Sequence, residues 1–69
     1  MNEVKLEILY RLDDSLSVVH RYELIMSTGR HAAMQNDIEW TRQVACSAVA
    51  RYHDRRPETI IIESVHVIP

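Results

Sequence analysis

Val4, Lys5, Leu6, Glu7, Ile8, Leu9, Tyr10, Arg11 and Leu12 run consecutively near the start of the chain and decide how the rest is read. Val4, Leu6, Ile8, Tyr10 and Leu12 fall on one side of an extended backbone, and Lys5, Glu7, Leu9 and Arg11 on the other. This is the period-two pattern of a strand with one buried face. Asp13, Asp14 and Ser15 follow, whose side chains bond nearby backbone groups and favour a turn. Residues 16–27 then resume the alternation, with Leu16, Val18, His20, Tyr22, Leu24 and Met26 inward and Ser17, Val19, Arg21, Glu23 and Ile25 outward. The two runs predict a long antiparallel hairpin.

Beyond the hairpin, Thr28 and Gly29 end the second strand, the glycine supplying a position for positive φ, and residues 30–35 read as a connector without a period. Asn36 or Asp37 offers a cap for a helix running to about Asp54. Ile38, Thr41, Val44, Ala45, Ala48, Val49 and Tyr52 recur at helical spacing within it. Glu39 in its first turn, and Arg51, His53, Arg55 and Arg56 at its end, match the helix dipole. Pro57 closes it. Residues 59–68 form a third strand, whose β-branched residues on both sides predict cover on both faces. The expected fold is a single α+β domain over residues 1–69, ββαβ, with a three-stranded, mainly antiparallel sheet and one helix on one face. The expected strand order is 2-1-3. The alternative sets the third strand beside the second, where a parallel pairing needs a right-handed crossover.

The chain has 69 residues, 46% of them hydrophobic and 26% charged, which suits one small globular module. Its single cysteine, Cys46, closes no internal disulfide, and its first residues show no signal-peptide pattern, so the expected setting is the cytoplasm. No apolar run is long enough to span a membrane, and a membrane is not expected as a partner. A net charge of −2 has the wrong sign for non-specific attraction to phosphate. Seven of the eight basic residues are arginine, the residue that recognises planar anions and populates interfaces.

One helix covers one face of the sheet. The other face is expected to carry Leu9, Val19 and Ile25, with either Ile61, Val65 and Val67 or Ile60, Ile62 and Ile68 from the last strand. Each such side chain gains about 1.5–3 kcal/mol on full burial, so a partner protein is expected there. A homodimer through sheet faces or edge strands needs only one self-complementary surface. Against this, Lys5, Glu7, Arg11, Arg21 and Glu23 can pair across the hairpin and divide the patch into solvated islands.

Chemistry-bearing residues are sparse. His20, His31, His53 and His66 lack the paired spacing of a zinc site, so no metal or cofactor is expected. Asp13 and Asp14 read as turn formers. Cys46 is placed on the helix flank away from the core stripe and is read as an inert thiol. One glycine rules out glycine-rich phosphate loops. Arg51, Arg55 and Arg56, extended along the helix by Arg42, form the only local basic cluster and carry the nucleic-acid alternative. Trp40, at the margin of the buried stripe, reads as trim packed partly on the core, with an interface anchor as the alternative.

Residues 41–69 hold helical Gln43, Val44, Ala45 and Ala48, then Arg56, Pro57 and Glu58, and close on Val65, His66, Val67, Ile68 and Pro69. This stretch resembles the helix-to-strand passage of the small tautomerases. The resemblance implies a small enzyme with an active site at a subunit interface. Those enzymes use an amino-terminal proline as base, whereas this chain opens Met1, Asn2, so the activity does not carry over. The layout of strands 4–12, 16–27 and 59–68 around one helix is similar to that of several phage-encoded anti-CRISPR inhibitors, and to the plan of some small ribosomal proteins. It implies a non-enzymatic protein-binding module, here a homodimer, that blocks a larger nucleoprotein complex. The expected contact residues are Leu9, Val19, Ile25, Trp40, Arg42, Arg51, Arg55 and Arg56.

Overall fold

The computed structural model describes residues 2–68. Met1 and Pro69, the first and last residues quoted for the tautomerase resemblance, lie outside the described residues. Strands β1 (Glu3–Leu12) and β2 (Ser15–Ser27) form the hairpin, followed by helices α1 (Thr28–Met34) and α2 (Ile38–His53). A 3₁₀ turn over Pro57–Thr59 leads into β3 (Ile60–Ile68). The sheet order is β2-β1-β3, and β3 pairs antiparallel with β1. The layout is therefore an α+β domain with a fully antiparallel sheet, which removes any question of crossover handedness.

Two helices, not one, stand between β2 and β3, which corrects the expected ββαβ order to ββααβ. Residues 30–35 do not form a connector, because the α1 helix starts directly from β2. The Ser27 hydroxyl accepts from the Arg30 amide at 3.1 Å and caps it. A helix of seven residues burying only Met34 shows no hydrophobic period, which is why the sequence hides it. Gly29 lies inside that helix and does not adopt positive φ. The residue that does is Asp54, at φ 55°, ending α2 in the left-handed conformation, with the Arg55 amide reaching back to the Ala50 carbonyl at 2.8 Å. At the other end of α2, Asp37 Oδ1 accepts from the Trp40 amide at 2.9 Å.

The buried face of the sheet is the one the alternation marks. Leu6, Ile8, Tyr10 and Leu12 are all buried. Ile8, Tyr10 and Leu12 pack with Ala45, Val49 and Ala50 of α2 and with Ile60. Leu6 forms a second cluster with Met26 and Met34, which gives α1 its place. Cys46 is half-buried against the first cluster, its thiol bonding to the Pro57 carbonyl at 3.1 Å, so it does not point away from the core as expected.

A bulge in β3 overturns both expected versions of its outward set. Leu9 faces Ser64 and Tyr10 faces Ile62, so Glu63 is an extra residue that flips the side-chain parity. Ile60 and Ile62 before it, and Val65 and Val67 after it, all oppose the buried residues Leu12, Tyr10, Ile8 and Leu6. One face therefore collects the β-branched residues from both halves of the strand. The expectation of cover on both sides is corrected accordingly. A second irregularity opens the hairpin tip. Tyr10 pairs with His20 and Leu12 with Ser15, which sets Leu16, Ser17, Val18 and Val19 against Arg11 alone. Leu16 and Val18 are consequently exposed rather than inward.

Candidate functional site

The densest group of polar aromatic side chains lies where β1, β2 and the end of α2 meet. The Tyr10 hydroxyl sits 2.7 Å from His53 Nε2, and the Tyr10 ring stacks on His20 at 5.2 Å between centroids. His20 and His53 meet edge to face at 5.7 Å. Burial, reinforced by the neighbouring Tyr52 and Tyr22, pushes the Tyr10 phenol above its ordinary value, which favours the neutral hydroxyl in its hydrogen bond with His53. Nε2 of His20 is buried without a hydrogen-bond partner among the described residues. This group acts as a polar element of the core.

The other chemistry-bearing residues are occupied structurally. Burial, with a smaller push from Glu58, raises the Cys46 thiol above its usual range, opposite to what a nucleophile needs. Arg55 bonds Asp14 through Nη2 and lies 3.7 Å from Asp13, tying the hairpin turn to the end of α2. That hydrogen bond holds the Asp14 carboxyl below its usual value and removes Arg55 from the basic cluster. Arg51 and Arg56 are exposed, Arg51 on α2 and Arg56 at the entry to the 3₁₀ turn. Among the described residues no group of three or more His, Cys, Asp or Glu is placed to hold a metal ion. No helix among them is long and apolar enough to cross a membrane.

The face of the sheet away from the helices is laced with ion pairs. Arg21 bonds Glu7 through Nε and Glu23 through Nη2 at 2.8 Å, and Lys5 stands 3.7 Å from Glu23. His66 Nε2 reaches Glu7 at 2.7 Å, and Arg11 pairs with Glu63 at 2.7 Å. The bond from Arg21 keeps the Glu7 carboxyl below its usual value. Leu9 is half-buried in this mesh with Arg21 directly opposite it on β2, and Ile25 stands opposite Lys5. The expected continuous apolar face is thus divided by charge.

The exposed apolar surface is concentrated elsewhere, along β2. Among the described residues nine large hydrophobic side chains are exposed, and six of them belong to β2 or to the flank of α2 beside it. Leu16, Val18, Val19 and Ile25 lie on the strand, and Trp40 and Tyr52 on the helix. Tyr52 is 67% exposed, with its ring 5.1 Å from that of Tyr22. Trp40 and Arg51, both expected contact residues, line one depression of about 350 Å³ together with Leu24 and Arg30. Arg42 lies apart from them, on the β3 side of α2, where it borders a depression of about 300 Å³ with Ile38 and Ile62. The sequence reading missed Tyr22, Tyr52, Leu16 and Val18 because it assigned all four to the core. Element lengths carry the missing signal: a 16-residue helix spans roughly 24 Å, whereas a 13-residue strand spans roughly 43 Å, so α2 leaves much of β2 uncovered. No family model, curated protein or solved structure matches this chain.

Proposed function

We propose that the chain is a non-enzymatic protein-binding module that works as a homodimer, with its contact surface along β2. The observation carrying this reading is the gathering, among the described residues, of six of the nine exposed large hydrophobic side chains on β2 and the adjoining flank of α2. Val19 and Ile25 lie on the open face and Tyr52 and Trp40 on the helix side, so the two groups flank the β2 edge from opposite faces, and exposed apolar surface gathered at one edge marks protein contacts. Tyrosine, tryptophan and arginine, the residue types enriched at binding hot spots, meet here as Tyr22, Tyr52, Trp40 and Arg51. An inhibitor of a larger nucleoprotein complex, the form suggested by the layout of the chain, is the concrete version of this reading. A small scaffold that acts by surface contact needs no catalytic group. The double substitution Val19→Lys, Ile25→Lys tests the reading, since both side chains are exposed and neither belongs to the buried core. Light scattering is expected to show loss of association with unchanged circular dichroism. Association that survives both lysines overturns the reading.

A further inference from the structure

Resting on that reading, we infer that two copies join through their β2 edges, antiparallel, with the twofold axis passing through Tyr22, to form one continuous six-stranded sheet. The two edges of the sheet are not equivalent. β3 carries the Glu63 bulge, a device that disfavours edge-to-edge pairing, and it runs only nine residues. β2 runs thirteen residues without proline or glycine and pairs only on its β1 side among the described residues; its own irregularity is confined to residues 16–19 at the tip, leaving an unbroken ladder from His20 to Ser27.

The sequence of β2 selects the register. Two identical antiparallel strands bring like faces together when the axis passes through a residue; β2 keeps a regular ladder from His20 to Ser27, and axes from His20 to Leu24 keep Arg21 and Glu23 within the paired stretch. An axis at Arg21 sets Arg21 against its own copy, and one at Glu23 sets two carboxylates together; like charges directly opposite are unfavourable. An axis at His20 places Val19 against Arg21, and one at Leu24 places Ile25 against Glu23. Among these, only an axis at Tyr22 sets Arg21, already bonded to Glu7 and Glu23 of its own chain, opposite Glu23 of the second copy twice over and, one residue beyond the regular ladder, Val19 opposite Ile25 of the second copy twice over. The charge pattern and the apolar pattern are then both self-complementary. Val19 and Ile25, 50% and 57% exposed in the single chain, cover each other, and the Tyr22–Tyr52 pairs of both copies meet at the axis.

Two experiments in a Cys46→Ser background test this arrangement. Val19→Cys chains mixed with Ile25→Cys chains are expected to form a mixed disulfide under mild oxidation, because directly opposed Cβ atoms lie about 4.5–5.5 Å apart. Val19→Cys chains alone are expected not to crosslink, since their two thiols stand roughly 20 Å apart along the strands. Arg21→Glu and Glu23→Arg are each expected to weaken self-association about tenfold, and mixing the two variants is expected to restore it. A dimer that crosslinks at Val19 alone, or that ignores both charge changes, overturns the Tyr22-centred pairing while the protein-binding reading stands. An unaltered chain that stays monomeric at millimolar concentration overturns both.

Discussion

The Tyr10 hydroxyl and the His53 ring nitrogen, 2.7 Å apart, join the middle strand of the sheet to the last turn of α2. Because burial raises the Tyr10 phenol above its ordinary value of 10.0, the folded chain favours the neutral form. The stability this contributes is complete below that value and is lost as pH rises through the higher folded value. Alkaline unfolding is therefore expected to coincide with ionisation of Tyr10, followed by phenolate absorbance. Tyr10→Phe is expected to cost about 1 kcal/mol at neutral pH and to remove that part of the alkaline dependence.

His20 stacks on the same ring while its Nε2 has no partner. His20→Phe keeps the stacked ring and removes a buried polar atom without a hydrogen bond. Chemical denaturation is expected to show a gain of about 1 kcal/mol. A loss of stability would mean that a bound group satisfies the nitrogen in solution.

At low pH the mesh on the open face and the hairpin tie weaken together. Hydrogen bonds from Arg21 and Arg55 lower the carboxyls of Glu7 and Asp14 below their ordinary values of 4.5 and 3.8. Lowered carboxyls stabilise the fold above the unfolded value, and this contribution disappears as pH falls through the folded one. The denaturation midpoint is expected to drop as pH falls below 4.5, and to drop less steeply in Glu7→Gln.

Two backbone positions invite stabilising substitutions in opposite directions. Gly29 lies inside α1, and an added Cβ meets nothing within 4 Å, so Gly29→Ala is expected to add about 0.5–1 kcal/mol. Asp54 holds the left-handed conformation at φ 55°, where glycine carries no Cβ penalty, so Asp54→Gly is expected to add about 0.5 kcal/mol. Thermal unfolding of both variants checks the pair.

Period-two alternation locates β1, β2 and the buried face because sheet geometry forces successive side chains to opposite sides. Capping by Asp37 and the charge order along the chain locate α2. Three features escaped the pattern for physical reasons. Helix α1 is too short to show a period and buries one side chain, Met34. The Glu63 bulge changes parity in the middle of β3, where no residue type signals it. The splayed tip beyond His20 exposes Leu16 and Val18, which an unbroken alternation assigns inward. Of the expected contact residues, Val19 and Ile25 share the β2 edge, and Trp40 and Arg51 share the flank of α2 beside it. Arg55 is held by the hairpin turn, because cross-chain ion pairing with Asp13 and Asp14 is invisible to spacing along the sequence.

Sedimentation equilibrium of the unaltered chain, across a range of loading concentrations, tests most directly whether the β2 flank is an interface between copies. A mass rising from one chain to two, with no larger species, is the expected result. A single-chain mass maintained into the millimolar range would contradict it.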